Sequence, residues 1–309
     1  MRTFKRFVGI DWSGARGATQ SGIQVAEIEA NTTGPRLIRP PNGRNWSRSG
    51  AMEYIARLID KPTLVGIDFA FSVPWNSVGA QFGARQVTDV RALWALVDSI
   101  CDGTPDLYGG PVWTAPDSPF RPYIFHHHTK HRGELYDRLN RRKVERLEGN
   151  AISVYHMAGP QVGAGSFSGM RMLHKLTNSH REGIAIWPFD VVDGTKTAVV
   201  EIYPSLFYRK AGARRPTSND LIGSNYAEID KTLGYYGAAR TPDFDDCRSV
   251  DQSDALITAA ALRKLANSVA FKIPASQDFD LREGWIFGFP LGGHSVPAYH
   301  FPVFTKSRI

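Results

Sequence analysis

The chain has 309 residues, 42% hydrophobic and 22% charged, the proportions of a globular protein long enough to bury a substantial core. Its net charge of +7 and pI near 9.4 favour polyanionic partners such as nucleic acid, whereas no segment has the apolar helical face an anionic membrane surface needs, and none approaches membrane-spanning length. Cys101 and Cys247 lack CxxC spacing, which argues against a disulfide framework or zinc–thiolate site and fits reduced thiols in the cytoplasm.

In chain order, Arg2, Lys5 and Arg6 precede an apolar run of only residues 7–10, too short for a signal-peptide core and expected instead to be a strand. That run, Phe7-Val8-Gly9-Ile10-Asp11, ends on a carboxylate. Residues 12–17 have turn chemistry, and residues 23–28 alternate as an antiparallel partner strand should. Leu37-Ile38, between Pro35 and Pro40, reads as a short third strand at an edge. Met52, Ile55, Ala56 and Ile59 give residues 47–60 helical spacing, with Ser47 or Ser49 as the cap. Pro62 ends that helix, and Leu64-Val65-Gly66-Ile67-Asp68 repeats the first pattern: a buried strand stopping on an aspartate.

Residues 72–196 differ in being rich in Pro, Gly, His and Arg. They read as a large insertion after the fourth strand, with helical patches at 89–100, 134–147 and 170–179 and breaks at Gly109-Gly110-Pro111 and Gly159-Pro160. Lys130, Arg132, Arg138, Arg141, Arg142, Lys143 and Arg146 crowd one part of it. Arg138, Arg142 and Arg146 fall at i, i+4 and i+8, which on a helix makes a basic stripe suited to a phosphate backbone; a solvated face is the plainer alternative. His126-His127-His128 with His131 fits a polar loop better than a zinc site. The stretch Gly163-Ala164-Gly165-Ser166-Phe167-Ser168-Gly169 lacks the third glycine of GxGxxG and follows no clear strand, so it is expected to be a loop capping a helix.

Residues 197–204 form another buried strand carrying Glu201. Residues 251–265 are the best helix, with Ala255, Leu256, Ala259, Ala260, Leu262 and Leu265 on its apolar face. Residues 1–71 and 197–270 are thus expected to form one discontinuous core, residues 72–196 a substrate-entrance subdomain, and residues 271–309 an extension packed on the core.

Asp11 and Asp68, at two strand tips, are the first candidates to share a divalent cation. Such hard ions need oxygen ligands, usually carboxylates together with water and substrate phosphate. Asp251-Gln252-Ser253-Asp254 supplies further acids three apart on one helix face. Asp251 as an N-cap with Asp254 in a capping box is the competing and compatible reading. Glu201 is either a fourth ligand or a structural acid paired with an arginine.

With Val8-Gly9-Ile10-Asp11-Trp12-Ser13-Gly14, Val65-Gly66-Ile67-Asp68-Phe69-Ala70, Glu201-Ile202-Tyr203-Pro204, Asp251-Gln252-Ser253-Asp254-Ala255-Leu256 and Glu283-Gly284-Trp285-Ile286 in that order, the chain resembles the domain of unknown function 429 family. Members of that family are regarded as predicted nucleases of ribonuclease H-like fold. The resemblance implies a mixed central sheet with helices on both faces and a Mg or Mn site held by Asp11, Asp68 and Asp254, with Asp251 as the alternative acid of the last core helix. Metal-dependent nucleic-acid hydrolysis is the resulting expectation, with Arg138, Arg142, Arg146 and Lys130 gripping the substrate and no obligate protein partner. A sugar-kinase or actin-like phosphotransferase and a catalytically inactive nucleic-acid-binding protein are the alternatives.

Overall fold

In a computed structural model, the chain is described at residues 4–41, 43–59, 61–75, 87–124, 140–157, 162–241, 247–273 and 280–289. The two apolar runs that end on aspartate become neighbouring parallel strands, β1 (Arg6–Asp11) and β4 (Thr63–Ile67), with Gly9 opposite Gly66. β2 (Gln24–Glu29) returns antiparallel to β1, and the short β3 (Arg36–Ile38) pairs antiparallel to β2 at one edge. On the other side β6 (Thr197–Glu201) runs parallel to β4, and β5 (Ile184–Trp187) parallel to β6. The result is a six-stranded mixed sheet in the order β3-β2-β1-β4-β6-β5.

Seven helices matter for the site: α1 (Arg48–Ala56), α2 (Val90–Ile100), α3 (Lys143–Glu148), α4 (Val162–Ser179), α5 (Pro204–Lys210), α6 (Ala227–Tyr235) and α7 (Val250–Leu265). Side chains alternate across a strand, so each strand feeds both faces. Val8, Ile10, Val65 and Ile67 pack with Ile55 of α1, Trp94 of α2 and Phe167 and Met170 of α4. Phe7, Leu64, Ala198 and Val200 pack on the opposite face with Phe207 of α5, Leu233 of α6 and Ala259 and Leu262 of α7. The α/β class and the helix-flanked mixed sheet agree with the sequence pattern.

The repeated glycines in the two Val-Gly-Ile-Asp runs explain how closely α7 approaches. A Cβ on Gly9 would lie 2.2 Å from the Ala255 carbonyl oxygen, and one on Gly66 would lie 2.8 Å from Ile202 and 3.0 Å from Leu262. The helix backbone leaves no room for a side chain at Gly9, whereas one at Gly66 would press on side-chain ends. The helix therefore lies directly on the middle of β1 and β4, and its first turns reach the strand tips.

Three expectations change. Residues 184–187 belong to the presumed insertion yet form the sheet's edge strand, and α2 and α4 from the same stretch cover one sheet face. Residues 163–169 are not a loop: they are the opening turns of α4. Glycine in a helix costs about 1 kcal/mol relative to alanine, and packing overrides that preference here. A Cβ on Gly14 would lie 2.1 Å from the Gly165 nitrogen, and Trp12 Nε1 donates to the Gly165 carbonyl at 3.1 Å. Finally, of the helix expected at 134–147, the described part begins only at Lys143.

The described part of the C-terminal segment packs inward, with Trp285, Ile286 and Phe287 buried and the Phe287 amide donating to the Glu201 carbonyl at 2.8 Å. Among the described residues no helix is long and apolar enough to cross a membrane.

Candidate active site

The carboxyl ends of parallel strands are where open α/β sheets bind ligands, and here three adjacent ends carry acids. Asp11 closes β1, Asp68 follows β4, and Glu201 closes β6. The Asp68 amide donates to the Ile10 carbonyl at 3.0 Å, which continues the β1–β4 ladder to the aspartates. Asp11 and Asp254 are buried, while Asp68 and Asp251 are half-buried.

The N-terminus of α7 brings the other two acids. Its N-cap is Ser249, whose Oγ accepts from the Gln252 amide at 3.2 Å while Gln252 Oε1 accepts from the Ser249 amide at 3.1 Å. That reciprocal pair is a capping box. Asp251 and Asp254 are therefore not the capping residues, and both line the same cleft as Asp11 and Asp68. Gly22 lies between them and the β1 loop: a Cβ there would fall 3.5 Å from Ser13 Oγ and 3.6 Å from Asp251 Oδ2. The cleft encloses about 610 Å³, and Trp12, Phe69, Ile152 and Tyr203 contribute to its walls.

Packing four carboxylates together disfavours their charged forms. Burial and then the charges of Asp254, Asp68 and Asp251 push the Asp11 carboxyl well up. Burial and Asp254 push Asp68 up to about 8. Asp254 rises to about 6, driven by burial and held back by its hydrogen bond to Arg215. Burial also raises Asp251, against the pull of Arg215.

Arg215 is the residue that sequence reasoning missed. Its Nε donates to Asp254 Oδ1 at 3.1 Å and Oδ2 at 2.8 Å, and its Nη2 also contacts Oδ2. The only trace in the sequence is Arg214-Arg215-Pro216, a polar break with no spacing that links it to the acids.

Glu201 resolves toward the structural alternative. Its carboxylate accepts from Arg142 through Nη1 at 2.8 Å and through Nη2, and from the Phe71 amide at 2.9 Å. Arg142 is also bound to Glu145 through Nε at 2.7 Å and to the Glu283 carbonyl at 3.1 Å. Glu283 in turn accepts from the Trp75 and Lys143 amides at 2.8 and 2.7 Å. This buried network ties β6, α3 and the C-terminal segment together under the cleft.

The basic stripe does not form as expected. Arg142 is the residue before α3 and is 1% exposed, turned inward onto Glu201 and Glu145 rather than outward to a ligand. Arg146 donates to the Arg141 carbonyl. Arg138, Lys130 and the cluster His126-His127-His128 with His131 lie outside the described residues.

Among the described residues no group of three or more His, Cys, Asp or Glu side chains is arranged to hold a metal ion as it stands, and Asp254 is engaged by Arg215. The donor set nonetheless fits a hard divalent cation in kind. It offers only oxygen ligands, on neighbouring strand tips and one helix start, whose raised pKa values a bound cation would bring back down.

Comparison with family models, curated proteins and solved structures returned no match to the chain, so its resemblance to the domain of unknown function 429 family rests on the motifs and their order alone.

Proposed function

We propose that this protein is a divalent-cation-dependent nuclease of ribonuclease H-like fold that hydrolyses phosphodiester bonds. The observation that carries the reading is the meeting of Asp11, Asp68, Asp251 and Asp254, from two strand tips and one helix, in a single cleft. The mixed sheet with helices on both faces, and acids on the first strand, the fourth strand and the last long helix, supports the fold the resemblance implies. The net charge of +7 supports a nucleic-acid partner.

Asp11, Asp68 and Asp254 are the residues that would hold Mg or Mn. The ion would supply Lewis-acid polarisation of a phosphoryl oxygen and a more acidic water. The chain's own contribution is positional and protonic. Rigid strand ends fix Asp11 and Asp68, and α7 brings Asp254 beside them. Asp251, half-buried and lining the same cleft, would accept a proton from the attacking water. Trp12 and Phe69, with ring centroids 5.5 Å apart, form an apolar wall that limits water on one side.

The phosphotransferase alternative would need a second glycine-rich phosphate loop, and residues 163–169 instead lie within α4. Saturable ATP binding would reopen it. The direct test is cleavage of labelled DNA and RNA oligonucleotides with Mn²⁺ by the wild-type protein, Asp11→Asn and Asp68→Asn. Both variants are expected to fold and to fall to background. Undiminished cleavage by either one would count against the assignment.

A further inference from the structure

We infer that Arg215 is the residue that contacts the substrate phosphate, kept in place by Asp254 until a cation takes that carboxylate. This rests on the cation-dependent reading above. Among the described residues lining the cleft, the cations are Arg142 and Arg215. Arg142 is fully committed: it is 1% exposed and bound to Glu145, Glu201 and the Glu283 carbonyl. Pulling it toward a ligand would strand buried carboxylates without a counter-charge, which is strongly unfavourable. A phosphate entering the cleft therefore meets Arg215.

The geometry of Arg215 suits that exchange. Its side chain is 44% exposed while that of its partner Asp254 is 1% exposed, so the guanidinium sits at the mouth and the carboxylate at the floor. It uses Nε and Nη2 on Asp254, and Nη1 donates to no atom among the described residues. A divalent cation competes with a guanidinium for the same carboxylate oxygens and carries twice its charge. Once displaced, the planar fork of Arg215 matches a phosphate as well as it matched the carboxylate. The stem is long enough to swing without moving the backbone.

The test separates cation binding from substrate binding. Mn²⁺ is titrated without substrate, with the free ion followed by electron paramagnetic resonance. Binding of a short labelled single-stranded oligonucleotide, as DNA and as RNA, is followed by anisotropy with Ca²⁺ in place of Mn²⁺. The proteins are wild type, Arg215→Ala and Arg215→Lys, with folding checked by thermal melting. In Arg215→Ala, Mn²⁺ affinity is expected to rise, because a competitor for Asp254 is gone. Oligonucleotide affinity is expected to fall about tenfold to a hundredfold. Arg215→Lys should keep Mn²⁺ affinity near wild type and recover only part of the oligonucleotide affinity, since lysine keeps the charge without the fork.

A merely structural Arg215 gives the opposite sign: loss of Mn²⁺ affinity in both variants overturns the proposal. Unchanged oligonucleotide binding in both variants overturns it too, while leaving the nuclease reading intact. A wild-type protein that binds neither Mn²⁺ nor oligonucleotide overturns the nuclease reading, and the role of Arg215 falls with it.

Discussion

Asp68 shows how one side chain's chemistry depends on its neighbours. Burial and the nearby Asp254 move its carboxyl from the ordinary 3.8 up to about 8, with Asp254 itself at about 6. Between those limits the folded chain holds protons that the unfolded chain has already released. The stabilisation from this group is therefore complete below the unfolded value and lost as pH rises through the folded one. The cation-free protein should lose melting temperature as pH climbs from 3.8 through about 8, and Asp68→Asn should flatten that slope by an amount on the order of a few degrees. Mn²⁺ or Mg²⁺ should restore stability most at the alkaline end, where the carboxylates are ionised and ready to bind. An identical slope in wild type and Asp68→Asn would show that Asp68 is not held in a charge-crowded site.

At the scale of elements, the site depends on one helix lying directly on two strands. Gly9 and Gly66 face each other across β1 and β4; the backbone of α7 occupies the space a Gly9 side chain would have taken, and Leu262 and Thr258 of α7 crowd Gly66 together with Ile202. The two strand tips and the start of α7 are thereby fixed by the same contact. Gly9→Ala places a Cβ 2.2 Å from the Ala255 carbonyl oxygen, so the helix must move. The expected loss of stability is about 1–3 kcal/mol, measured by urea unfolding. Because Asp254 stands one residue before Ala255, Mn²⁺ affinity should fall along with stability. Full Mn²⁺ affinity in a destabilised Gly9→Ala protein would show that the acids do not depend on this packing.

For the whole molecule, what could be read from the sequence tracks the kind of pattern involved. β1, β2, β4, β6 and α7 carry clear period or continuous apolar runs, and those physical signals survive into the fold. β5 is only Ile184–Trp187, buried within a stretch dominated by Pro, Gly and charge, and such a short run has no periodicity to reveal it. The opening turns of α4 were hidden for the opposite reason: their glycines argue against helix, and only the close approach of the β1 loop makes them useful. Helical spacing placed Arg142 on a basic face but could not say which face is buried; its partner Glu201 lies 59 positions away on a strand. Arg215 is joined to Asp254 across 39 positions of irregular spacing, beyond the reach of any local pattern. Asp11, Asp68 and Asp251 were legible because each stands at the end or the start of a regular element, and Asp254 because it follows Asp251 by three on one helix. The most direct measurement is anomalous diffraction at the manganese edge from crystals soaked in Mn²⁺. The expected result is a peak bounded by the carboxylates of Asp11, Asp68 and Asp254, with Arg215 withdrawn from Asp254. A protein loaded with Mn²⁺ elsewhere, or one whose four aspartates show no peak between them at saturating Mn²⁺, would contradict the metal-centred site.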